Sequence, residues 1–180
     1  TSPFLRTLQT TRMITDAGSQ HVHVWHDVFE QGGCYQGHGP AARQGAPGLG
    51  RQAIARQACA NPEHCTIDDS IDESGWWAGR TRESDEEARQ RAARVTERLV
   101  AMFGGSGKTV VAVIHADFKR LILGEMLRPQ IDPHLLGPLR NTGITKLDHR
   151  SEGWSLDWFN SLSHLPAELI GDGEGYTAEQ

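Results

Sequence analysis

From Ser84 onward, apolar residues recur at steps of three and four: Ala88, Ala92, Val95, Leu99 and Met102. That spacing predicts an amphipathic helix. Ser84 and Glu87 form a capping box at its start, and Gly104-Gly105 stops it. "TVVAVI", residues 109–114, is a continuous apolar run, mostly β-branched. It predicts a strand buried on both faces. The strand ends on His115, and a second helix follows with Phe118, Leu121, Ile122 and Met126 inward. Arg128-Pro129 ends that helix. Helix, buried strand, helix predicts an α/β sandwich with a mainly parallel sheet.

The rest of the pattern is weaker. Residues 3–17 read as a helix, with Ser2 as its cap and Pro3 at its first position. Phe4, Leu5, Leu8 and Met13 lie roughly on its apolar face. "HVHVWHDV", 21–28, alternates like a half-buried strand. A Gly- and Pro-rich stretch follows, broken by one weak helix near 50–59. "GITKLD" and "WSLDWFN" read as short strands. The Gly-rich, acidic segment 171–180 reads as a frayed tail. The expected organisation is one domain over 1–170, with a loop insertion at 37–80.

The 180 residues suffice for a single core, and 37% hydrophobic with 23% charged is ordinary for a globular chain. A net charge of -5 leaves no basic footprint, so nucleic acid is a poor partner. No apolar run approaches the roughly 20 residues needed to span a bilayer. No signal peptide is visible. Three cysteines, Cys34, Cys59 and Cys65, at loose spacings point to reduced thiols in a cytoplasmic protein.

His115 stands where open α/β sheets bind ligands, at the carboxyl end of a strand. The helix after it offers free N–H groups to an anion. A protonated histidine there would add a second attraction for phosphate or carboxylate; a silent, hydrogen-bonded ring is the alternative. Arg6, in the first turn of its helix, could clamp the same anion bidentately, or be a surface arginine. "GGSGKT", 104–109, lacks the first P-loop glycine, since Met102 occupies it, and reads as a helix stop. Cys59, His64 and Cys65 are too few and too crowded for a zinc site. Glu83, Asp85, Glu86 and Glu87 read as a solvated first turn. His164 in "SHLP" reads as structural.

Together these segments resemble the histidine phosphatase superfamily, the phosphoglycerate-mutase-like enzymes. "TSPFLRTLQT" resembles the family pattern Ser-x-Leu-x-Arg-Ala-x-x-Thr. "VWHDVFEQGGCYQG" resembles the segment in which a carboxylate precedes a Gly-rich turn. "VVAVIHADFKRLI" resembles the strand and helix around the family's second histidine. "NTGITKL" and "WFNSLSHL" resemble its closing strands. The matches keep the family's order from residue 1 to about 165.

The resemblance implies a three-layer α/β/α sandwich and a phosphomonoester hydrolase with a phosphohistidine intermediate, or more narrowly a mutase. Arg6 matches the phosphate-clamping arginine, Glu30 the acid that protonates the leaving group, and His115 the second histidine. Ala116 stands where the family has glycine beside the phosphate, and Asn141 matches a supporting position near the pocket. No metal or other cofactor is implied, and the partner would be a small phosphorylated substrate. The family's nucleophile lies in an Arg-His-Gly motif at the end of the first strand, ahead of the segment matching Thr1. His38 follows Gly37 rather than arginine and falls in a loop, so it is not that nucleophile. The expectation is an N-terminally incomplete copy, missing its first strand and inactive as it stands. A non-catalytic phosphate-binding relative is the other reading. Trp76 and Trp77 would either line the pocket or anchor the insertion on the core.

Overall fold

The computed structural model describes residues 1–15, 20–35 and 44–170. His38 and the segment 171–180 lie outside these. The elements in chain order are α1 (Leu5–Thr15), β1 (Val22–Val24), α2 (Arg51–Ala58), β2 (Cys65–Ile67), α3 (Asp85–Phe103), α4 (Ala116–Met126), β3 (Ile144–Arg150) and β4 (Gly153–Ser161). The fold is mixed α/β. Among the described residues the strands pair in two separate ladders: β1 with β2, parallel, and β3 with β4, antiparallel.

The helices follow local chemistry. α3 starts at the expected capping box, with the Ser84 hydroxyl accepting from the Glu87 N–H and the Glu87 carboxylate accepting from the Ser84 N–H. Gly104 ends it by donating its N–H to Val100 O, so the glycines do serve as a helix stop. Ala88, Ala92 and Val95 are buried as their spacing demands, while Met102 is exposed. α1 begins two residues later than expected. Pro3 precedes it; Leu8 and Phe4 reach the core from that face, while Leu5 is 43% and Met13 81% exposed.

Two apolar clusters make up the core. Leu8, Val22, Val24, Phe29, Ile54, Ile67, Trp76 and Trp77 belong to the first. Trp25, Val28, Ala92, Val95, Phe118 and Ile122 belong to the second. The connection after β1 sends Trp25 and Val28 into the second cluster and Phe29 into the first, and so ties the two together. Trp76 and Trp77 anchor their loop on the core. Gly33, at φ +103°, lies so close to the Trp77 ring that a Cβ would overlap it. Arg98 closes the ends of β1 and β2: it donates to both Asp68 carboxylate oxygens at 2.7 and 3.0 Å and stacks on Trp25 at 3.9 Å.

Residues 109–114 depart from expectation. They form no strand, and Val111 is 66% exposed. Among the described residues, the backbone hydrogen bond that ties them to an extended neighbour runs from the Ser2 N–H to Val113 O, 3.2 Å. A β-branched run is buried on both faces only when strands lie beside it, and here Thr1–Ser2 touches it at a single point.

Candidate functional site

The segment 109–114 delivers His115 to the start of α4, where it is the N-cap residue. Its side chain is buried, with 5% of the residue exposed. The first turn of α1 brings Arg6 to it: Arg6 Nη2 lies 2.7 Å from His115 Nδ1. The Phe4 ring packs against both, 4.7 Å from the imidazole in an edge-on contact and 4.3 Å from the Arg6 guanidinium. Ser2 Oγ lies 2.8 Å from His115 Nε2 on the other side. The hydroxyl thus goes to the imidazole, and its contact with the Phe4 N–H is a long 3.4 Å.

Glu30 reaches the same corner from the connection after β1. Its Oε1 accepts from the Phe118 N–H at 3.1 Å and from the Gln31 N–H at 2.9 Å. Phe118 is the third residue of α4, so part of the anion-binding capacity of that helix end is already used by a carboxylate. Burial pushes the Glu30 carboxyl above its ordinary value, against the pull of the two N–H donors; Asp117 pushes the same way and Arg6 the opposite way. A carboxyl pKa moved upward by burial is moved in the direction a general acid needs.

His115 is pushed the other way. Burial, then the charges of Arg6 and Arg91, lower its pKa from 6.5 to about 3. The ring is therefore neutral in the free protein, and the protonated form that would add an attraction for an anion is not its resting state. The consequence for stability has a definite sign. Between pH 6.5 and about 3 the unfolded chain binds a proton at this residue that the folded chain refuses. The stabilisation is complete above 6.5 and is lost as pH falls through that window, at about 1.4 kcal/mol per tenfold difference in proton affinity. Thermal unfolding from pH 7 to 4 should show a steeper loss for the wild type than for His115→Gln. Parallel profiles would mean that another group titrates.

The Arg91–Glu83 pair supports this corner. Arg91 is buried, and its guanidinium donates to both Glu83 carboxylate oxygens at 2.7 and 2.6 Å. It also donates to Asp27 O at 2.9 Å and Phe29 O at 3.0 Å, and it stacks on Phe29 and Phe118. Glu83 is thus a buried partner, with 7% of its side chain exposed, and not part of a solvated turn. The signal was available: Arg91 sits between Ala88 and Ala92 on the apolar stripe of α3, where an arginine needs a reason. Ser2 carried no comparable signal, because its place ahead of a helix already accounted for it.

The remaining candidates are peripheral. Ala116 is the exposed first residue of α4 and keeps an ordinary backbone conformation, so a methyl is accommodated where the family has glycine. Asn141 is exposed in the turn before β3, and its carbonyl accepts from the Thr142 hydroxyl. No hydrogen bond joins it to Arg6, Glu30 or His115. Cys34, Cys59 and Cys65 are free thiols, and burial pushes the Cys65 thiol up to about 12. Among the described residues no group of three or more His, Cys, Asp or Glu side chains could hold a metal ion. No helix among them is long and apolar enough to cross a membrane.

No curated protein and no solved structure matches the chain. The family model for the histidine phosphatase superfamily (branch 1) matches residues 1–162. That span holds α1 with Arg6, the turn with Glu30, the His115–α4 junction and the β3–β4 hairpin in order. The chain belongs to the histidine phosphatase superfamily, branch 1.

Proposed function

We propose that this chain is the larger part of a phosphomonoester hydrolase that works through a phosphohistidine, with the nucleophilic histidine encoded upstream of Thr1. The observation that carries the reading is the convergence of Arg6, His115 and Glu30. The guanidinium lies 2.7 Å from the imidazole, and the carboxyl group is tied to the first turn of the helix that His115 begins. Phosphoryl transfer asks little of a protein beyond positioning and charge stabilisation. Arg6 supplies a planar fork for the equatorial oxygens. The N–H of Ala116, at the start of α4, offers a further donor.

His115 has two parts in this scheme. At rest, Nδ1 holds the Arg6 fork, which would otherwise hang from an exposed and flexible side chain. Once a phosphoryl dianion arrives, its negative charge reverses the balance that keeps the ring neutral. The ring can then take a proton from solvent and become a second donor. Glu30, already biased toward protonation, gives its proton to the leaving alkoxide. Asn141 would have only a supporting role at the rim. The substrate is a small phosphate ester, and the setting cytoplasmic.

The fold reading goes with it. A strand from upstream, paired along residues 109–114, would cover the exposed valines there. It would turn the separate ladders into one central, mainly parallel sheet with helices on both faces, the three-layer α/β/α arrangement. The decisive experiment restores the coding sequence ahead of Thr1 and assays hydrolysis of p-nitrophenyl phosphate, with acid-labile phosphohistidine trapped by rapid quench. Turnover with a labile phosphoenzyme supports the reading. Phosphate binding without turnover, and no Arg-His-Gly upstream, would instead make the protein a non-catalytic phosphate-binding relative.

Glu30→Gln in the restored enzyme separates its role from general damage. Loss of a general acid costs about 10²–10⁴ when the leaving group needs the proton. The expected result is a loss in that range for an alkyl phosphate and under about tenfold for p-nitrophenyl phosphate. Equal losses on both would remove Glu30 as the acid.

A further inference from the structure

Ser2 is fully buried, and its hydroxyl reaches across 113 residues of sequence to one ring nitrogen of His115. The protonation pattern there follows from chemistry. A guanidinium can only donate, so the Nδ1 atom 2.7 Å from Arg6 Nη2 must be the accepting nitrogen. A neutral imidazole with a bare Nδ1 carries its proton on Nε2. That N–H faces the Ser2 oxygen at 2.8 Å. The reverse arrangement, with the proton on Nδ1, would set two donors against each other. The ring is thus held at both nitrogens, and the Phe4 ring braces it edge-on.

We propose that Ser2 is a positioning residue for His115: its oxygen accepts from Nε2–H and so turns Nδ1 toward Arg6 and the incoming phosphoryl group. The inference rests on the reading of His115 as part of a phosphate site. It adds a division of labour within the ring. An imidazolium also carries a proton on Nε2, so Ser2 accepts the same hydrogen bond before and after His115 is protonated. Only Nδ1 changes, on the side that meets the phosphate. The ring can switch from holding Arg6 to donating to an oxygen without turning.

The test is a long-range ¹H–¹⁵N correlation of the histidine rings at pH 7, with His115 assigned from His115→Gln. The expected result is a bare Nδ1, a protonated Nε2 and a slowly exchanging Nε2 proton. Ser2→Ala should lose that protection and average the two tautomers, because a buried N–H without a partner drives the ring out of place. Ser2→Thr, which keeps a hydroxyl, should restore the single tautomer. A proton on Nδ1 in the wild type, or a Ser2→Ala ring still purely Nε2-protonated and protected, would overturn the proposal. Titration with inorganic phosphate, on the chain restored upstream of Thr1, keeps the two readings apart. Binding at Arg6 and His115, roughly fivefold or more weaker in Ser2→Ala, supports both. No binding to the wild type, with the tautomer as expected, would sink the phosphate reading and leave the hold of Ser2 on the ring standing.

Discussion

Replacing Arg91 by alanine should cost about 3–5 kcal/mol of folding stability, the loss expected when one partner of a buried ion pair is removed. For a chain of this length that lowers Tm by roughly 6–20 °C. Burial leaves 4% of the Arg91 side chain and 7% of the Glu83 side chain exposed, so neither charge can be rescued by water. The variant strands the Glu83 carboxylate, and it also strands the Asp27 and Phe29 carbonyls that accept from Nη1. The space between the Phe29 and Phe118 rings, now filled by the guanidinium at 3.6 and 3.7 Å, is emptied as well. The double variant Arg91→Met with Glu83→Leu tests the cause. It removes both charges and refills the volume, so it should be more stable than Arg91→Ala alone. Urea unfolding of the three proteins decides it. A loss below 1 kcal/mol in Arg91→Ala would mean that the pair is not a structural tie. The effect should reach the site, because Phe29 precedes Glu30 and the Phe118 N–H is one of its two donors.

What the sequence discloses and what it withholds divide along the range of the interaction. α3 was legible because its cap, apolar stripe and stop lie within about 20 residues. α2, α4 and the strands β3 and β4 are legible for the same reason, as is the helix stop at Gly104, but the antiparallel pairing of the two strands is not. Arg6, Glu30 and His115 were recognisable as a set only through resemblance, since 24 residues of chain separate the first two and 85 the last two. The structure brings them to one corner. Ser2 and Arg91 escaped because their partners are distant: His115 for one, the Asp27 and Phe29 carbonyls for the other. The local rules that explain a serine before a helix, or an acidic first turn at Glu83, are satisfied without those partners. Residues 109–114 show the opposite failure. Their pattern reports a preference for burial between strands, and whether strands are there to provide it is not written in the segment itself.

In the proposed hydrolase, with the sequence upstream of Thr1 restored, His115→Ala should reduce turnover by a hundredfold or more, the scale of about 3–4 kcal/mol for a lost donor at a developing charge. Two losses combine. The ring that would donate to the phosphoryl oxygen is gone, and Arg6 loses the Nδ1 atom that holds its fork 2.7 Å away. Arg6 is exposed and its guanidinium would be left stacked on the Phe4 ring without the Nδ1 acceptor, so its donors would have to be ordered anew in each encounter. Two controls separate these effects. His115→Asn offers a shorter polar group and should recover part of the affinity for inorganic phosphate while leaving turnover low. Arg6→Lys keeps a charge but not the planar fork, and should weaken phosphate binding even with His115 in place. The pH profile adds a third constraint. The ring is neutral in the free protein down to about pH 3, so the acid limb of kcat/KM above pH 4 should be the same shape in the wild type and in His115→Asn. That limb would then report the substrate phosphate or another group of the restored enzyme. Loss of the limb in the variant would show that His115 itself titrates in the free enzyme, and that the burial beneath Ser2 and Arg6 does not hold it neutral. A fall in turnover under threefold in His115→Ala would remove the residue from the reaction altogether.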